Sequence, residues 1–139
     1  MNITYLYCKK CKDSVFSFST HSMNWCKCES CAIDGGFDYT KITGNEGDFE
    51  LIVSDVSSIM KLIRDKFTWT KRYDRNDKLL KKPITSKLKD LTTDHVIGVL
   101  LYFTKQLTLH DDGNSCNMSK YWLIIHEIFL EELKYRKLK

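Results

Sequence analysis

The sequence predicts an α+β fold, in which a β-rich N-terminal segment is followed by a small and mainly helical module. Three observations lead there. Five of the six cysteines in this 139-residue chain fall between Cys8 and Cys31, in close-spaced groups. Around them run short stretches of β-branched and aromatic residues broken by glycine. Beyond residue 50 the apolar positions recur at three- and four-residue spacing instead.

A hydrophobic content of 42% with 12% aromatics is enough for a core, so disorder is not expected. The N-terminus lacks a basic region followed by an apolar run and a cleavage site. No apolar run reaches membrane-spanning length. The expected protein is soluble and cytoplasmic, with no membrane partner. Disulfides do not persist in such a compartment, so clustered cysteines point to metal. Cys116 stands apart and is expected as a free thiol.

Taken in order, Ile3-Thr4-Tyr5-Leu6-Tyr7 predicts a strand leading into a turn that carries Cys8 and Cys11. Asp13 to Thr20, with Val15, Phe16 and Phe18 among serines, predicts a half-buried strand. A return strand through Met23 to Trp25 then delivers Cys26 and Cys28. Asp34-Gly35-Gly36 signals a turn within Ala32 to Ile42, and Gly44 to Asp48 reads as a connector. The division is therefore placed there, with residues 1–47 as a metal-binding ribbon and 48–139 as the helical module. Leu51, Ile52, Val56, Ile59, Met60, Ile63 and Phe67 predict an amphipathic helix from Glu50 to Phe67, with Ser54 or Asp55 as the cap of a later start. Residues 69–83 lack periodicity and predict a loop or an exposed β-excursion, and Pro83 ends any helix there. Thr92-Thr93-Asp94 caps a buried helix running through Leu107, whose Gly98 implies close packing against a neighbour. After a polar turn at His110 to Asn117, Ser119 caps a last helix. Its stripe is Trp122, Ile125, Phe129 and Leu133, widened by Ile124 and Ile128.

The spacing Cys8-x-x-Cys11, fourteen residues, Cys26-x-Cys28 predicts one structural Zn²⁺ in a zinc ribbon, because two thiolate pairs on tight turns can surround a tetrahedral ion. Cys31 competes with Cys28, since Cys28-x-x-Cys31 also has knuckle spacing, and His21 is a third option. Four thiolates close the shell and quench Lewis acidity, so the site is expected to be structural. The His-x-Glu with Pro-Cys-x-x-Cys pattern of zinc deaminases is absent, as are phosphate-binding glycine loops and nucleophile elbows. His95 and His126 have ordinary explanations as capping and surface residues. No catalytic residue and no enzyme activity is expected.

The net charge of +4 is uneven. Residues 61–89 hold eleven Lys or Arg against three acids, while the flanking segments are slightly acidic. Within this basic connecting segment, about 69–89, Lys71, Arg72, Arg75, Lys78, Lys81 and Lys82 interleave with Trp69 and Tyr73. That pattern suits a solvated face, a protein-docking surface, or a nucleic-acid surface holding phosphates and stacked bases.

Cys8-Lys9-Lys10-Cys11, His21, Cys26-Lys27-Cys28 and Ala32-Ile33-Asp34-Gly35-Gly36-Phe37-Asp38-Tyr39 together resemble a family of small zinc-ribbon proteins of tailed bacteriophages, over residues 5–44. The resemblance implies Cys8, Cys11, Cys26 and Cys28 as ligands, with Cys31 where the family usually has a small non-ligand residue. The family carries no established activity. Leu88 to His95 and the ending Glu131-Glu132-Leu133-Lys134-Tyr135-Arg136 are similar to segments of other phage proteins, with Gly98 where those have Asn. These resemblances imply a phage origin and the host cytoplasm. The resemblances imply nothing about mechanism; because small phage proteins without catalytic motifs often act by occluding a partner, the expected function is that of a non-enzymatic accessory protein which binds a host or phage protein, as a host-takeover or counter-defence inhibitor. Nucleic acid is the alternative partner.

Overall fold

The structure is a computed structural model that describes residues 1–73, 76, 78–109 and 120–137, without the side chains of 106–109 and 120. Strands β1 (Asn2–Cys8), β2 (Ser14–Val15) and β6 (Phe49–Asp55) form a central antiparallel sheet in the order β2-β1-β6. Strands β3 (Asn24–Trp25), β4 (Cys31–Asp34) and β5 (Lys41–Gly44) form a second sheet in chain order. After α1 (Met60–Lys66) come a hairpin of β7 (Thr68–Tyr73) and β8 (Leu79–Lys87), then α2 (Thr93–Leu109) and α3 (Lys120–Lys137). Six strands precede α1 and two long helices close the described chain, with one hairpin between, which makes the fold α+β. No helix among the described residues is long and apolar enough to cross a membrane.

The central sheet separates two cores. Because successive side chains on a strand point to opposite faces, Ile3 and Tyr5 of β1 enter one core while Leu6 and Cys8 enter the other. The larger core joins Ile3, Tyr5 and Phe16 to Met60 and Ile63 of α1, Val96, Val99 and Phe103 of α2, and Ile124, Ile125, Ile128 and Phe129 of α3. The smaller one gathers Leu6, Cys8, Val15, Cys26, Cys31 and Ile33. Gly35 and Gly36, at φ +117° and +57°, turn the chain between β4 and β5. A Cβ on Gly35 would collide with the Tyr39 carbonyl oxygen.

Several expectations are corrected. The helix expected from Glu50 to Phe67 is strand β6, a 3₁₀ turn at Val56–Ile59 and the short α1. All seven residues of β6 pair with β1, from Cys8↔Phe49 to Asn2↔Asp55, a partner that periodicity within one segment does not reveal. Asp55 does cap the later start, its carboxylate accepting from the Ser57 N–H at 3.3 Å. Strand β6 lies beyond the division expected at residue 47 and completes the sheet of the preceding segment. Of Asp13 to Thr20 only Ser14 and Val15 pair. Phe16 and Phe18 leave the strand to stack at 5.3 Å, Phe16 against Tyr5 at 4.8 Å and Phe18 edge-on to Phe67 at 5.0 Å. Trp122 is 42% exposed, and the buried face of α3 instead continues through Glu132. Gly98 is not closely packed against a neighbouring element among the described residues, since a Cβ there would meet nothing of them within 4 Å beyond its own helix backbone. The turn at 110–117, Cys116 and Ser119 lie outside the described residues.

Glu132 is fully buried and pins the helices together. It accepts from Arg64 Nε at 2.7 Å and from Arg136 Nε at 2.6 Å. Arg136 donates onward to the Leu88 carbonyl at 3.0 Å and to Thr93 Oγ1 at 3.2 Å. The Arg64 guanidinium also lies 4.4 Å from the Tyr135 ring centroid.

Candidate metal centre

Two turns of related construction carry the cysteines. In the first, between β1 and β2, the Cys8 N–H donates to the Asp13 carbonyl at 2.9 Å and the Lys12 N–H to the Cys8 carbonyl at 2.8 Å. In the second, between β3 and β4, the Cys26 N–H donates to the Cys31 carbonyl at 3.0 Å and the Glu29 N–H to the Cys26 carbonyl at 3.0 Å. Lys12 and Glu29 both adopt φ 59°, the left-handed conformation that curls each turn tightly enough to aim two sulfurs inward. Strands β1 and β4 pack face to face through the smaller core, which brings the two turns together.

The sulfurs of Cys8, Cys11, Cys26 and Cys28 all lie within 4.8 Å of one another. Cys28 Sγ is 3.7 Å from Cys8 Sγ and 3.6 Å from Cys26 Sγ. Sulfurs about 2.3 Å from a shared tetrahedral ion are separated by about 3.8 Å, so these spacings fit a metal. The four cysteines can hold a metal ion, and a sulfur-only set suits zinc and iron alike.

The surroundings favour thiolate at two of the four. The Ser30 hydroxyl, 3.3 Å from Cys8 Sγ, and the Cys11 N–H hold the Cys8 thiol down at about 7. Burial opposes ionisation of Cys26, yet the Cys31 N–H and the Ser30 hydroxyl outweigh it and bring that thiol to about 5. Burial raises Cys11. Ser30 Oγ also lies 3.0 Å from Cys28 Sγ, so one hydroxyl faces three sulfurs. Nothing in the spacing of the cysteines marks Ser30 beforehand.

Cys31 stands outside the group. It occupies in the second turn the place Asp13 occupies in the first, closing the turn through its carbonyl. Its side chain is fully buried, and burial pushes the thiol up to about 12, with Cys26 and Cys8 adding to the rise. His21 is also outside, exposed and 6.4 Å from the Tyr39 ring. Asp13 is a second residue that spacing does not mark. Its buried carboxylate accepts from the Lys27 N–H in the second turn at 3.2 Å and from Lys66 Nζ on α1 at 2.7 Å, tying both turns to the helical side.

The basic segment folds as the β7–β8 hairpin, with Thr70↔Thr85 and Lys71↔Ile84 in register. Trp69 is half-buried against Phe129 at 5.1 Å and Phe103 at 6.4 Å, so its ring serves the core. Lys71, Arg72, Tyr73, Lys78, Lys81 and Lys82 are exposed, and Arg75 lies outside the described residues. Part of the basic excess is consumed internally, by Arg64–Glu132, Lys66–Asp13 and the pairs of Lys87 and Lys89 with Asp65. Leu79 and Ile84 stand 71% and 54% exposed on the same hairpin.

Residues 4–44 match a family described as a domain of unknown function, DUF7695. The matched stretch begins inside β1, ends at the last residue of β5 and contains all four clustered cysteines. No curated protein and no solved structure matches the chain.

Proposed function

We propose that the protein is a non-enzymatic binding protein whose four cysteines hold one structural zinc in a zinc ribbon and whose β7–β8 hairpin docks a partner protein. The hairpin carries this reading. Leu79 and Ile84 are left in water beside Lys81 and Lys82. Aliphatic side chains next to cations suit an acidic protein surface with an apolar centre, whereas a phosphate backbone offers the aliphatic groups nothing. Four thiolates leave a metal no open position, so the zinc acts on folding and not on a substrate. The phage setting rests on the resemblance of the cysteine pattern, and a host enzyme or defence protein as the partner inhibited rests on the class of small phage proteins that carry no catalytic motif. Leu79→Asp combined with Ile84→Asp should release a partner that cross-links to the wild-type hairpin in host lysate, without loss of metal. A partner held equally well by that variant, or no stoichiometric partner at all, would contradict the reading.

A second reading, nucleic acid on the same segment, is favoured by Lys71, Arg72 and Tyr73 lining one groove against α2. Affinity for oligonucleotides should then fall steeply with salt, and Lys81→Ala with Lys82→Ala should flatten the slope.

A further inference from the structure

A groove of about 730 Å³ lies between β7 and the first half of α2. Ligand sites in proteins span about 300–1,000 Å³. Lys71 and Arg72 line its strand side with Tyr73, and the helix side presents His95, Gly98 and Tyr102. Among the described residues Asp94 is the acid on its rim. Tyr73 and Tyr102 are 56% and 60% exposed, which leaves two aromatic faces beside two cations.

Gly98 is the informative residue. A glycine inside a helix lowers its stability, and such a residue is ordinarily explained by a neighbour that needs the space. Here, among the described residues, no atom outside the helix's own backbone lies within 4 Å of the position its Cβ would take. The space freed by the missing side chain belongs to the groove. Thr92 caps the helix there, its Oγ1 accepting from the His95 N–H at 3.1 Å, and the first turn adds positive potential near the cations. Burial, with Lys71 nearby, holds the His95 pKa below its usual value, so at neutral pH its ring is neutral and offers one N–H donor.

We propose that this groove binds a nucleoside phosphate, free or as one unit of single-stranded nucleic acid, with the base stacked on Tyr73 or Tyr102 and the phosphate held by Lys71 and Arg72. The proposal rests on the nucleic-acid reading above and names its site. An acidic peptide would use the cations but give the exposed rings and the open glycine no role.

The test uses the full chain with its metal, a fluorescent single-stranded decanucleotide, the four nucleoside 5′-monophosphates and an acidic decapeptide. Gly98→Leu fills the groove and should weaken oligonucleotide binding about tenfold, within the range of one lost base–aromatic stack, without lowering the melting temperature. Tyr102→Ala, at an exposed position, should weaken it to a similar extent. Monophosphate binding that is lost in both variants would support the site even if the oligonucleotide does not bind, and would then make the free nucleotide the ligand. Oligonucleotide binding unchanged by Gly98→Leu and by Tyr102→Ala would overturn the groove while leaving the nucleic-acid reading on the hairpin lysines. Failure of both nucleotide probes to bind would overturn both, as would peptide binding alone.

Discussion

The two faces of the central sheet are held by different means. On the helical face, residues from β1, all three helices and the segment after β2 bury a continuous apolar core, and Glu132 is clamped between two arginines within it. On the other face the core has six buried residues among those described, three of which are cysteines. So few apolar side chains do not offset the ordering of β3, β4, β5 and two tight turns, and small units of this kind rely on a metal or a crosslink. Within one chain, apolar burial holds one face of a shared sheet, while the other face gathers four cysteines that can hold a metal ion.

The largest effect should come from removing the metal, because binding free energy at a structural zinc site, about 10–16 kcal/mol, is also folding free energy. Amide hydrogen exchange after chelation should show β3, β4, β5 and both cysteine turns unprotected while α1 and α3 stay protected. Unchanged protection of β4 would break the comparison. On the helical face the largest single loss should be Glu132→Ala. It leaves Arg64 and Arg136 without their buried partner and should cost about 3–5 kcal/mol in chemical denaturation, with metal content unchanged. Asp13→Ala removes the link between the faces. A loss of about 1–3 kcal/mol is expected, together with faster metal release, since the Lys27 N–H and Lys66 lose the same acceptor. The smallest change should be a gain. Gly98→Ala should stabilise the chain by up to about 1 kcal/mol, because among the described residues the added methyl meets no neighbouring element. A destabilised Gly98→Ala variant would show that the position is packed after all.

The parts legible in the sequence are those where a local rule decides. Cysteine spacing marks Cys8, Cys11, Cys26 and Cys28, the Thr92 cap starts α2, and Gly35-Gly36 turns β4 into β5. The illegible parts depend on partners far along the chain. Leu51-Ile52-Val53 fits a strand as well as a helix, and only the pairing with β1, about fifty positions earlier, decides. Glu132 looks like one more surface acid in a charged helix until Arg64 meets it from α1. Spacing also leaves Cys31 as a competitor of Cys28. The backbone separates them, because the Cys31 carbonyl closes the second turn while its side chain faces the smaller core.

Native mass spectrometry with elemental analysis of the purified full chain tests the central claim most directly. One zinc per chain is expected in the wild type and in Cys31→Ser, and none in Cys28→Ser. Zinc kept by Cys28→Ser and lost by Cys31→Ser, or iron in place of zinc in the wild type, would contradict it.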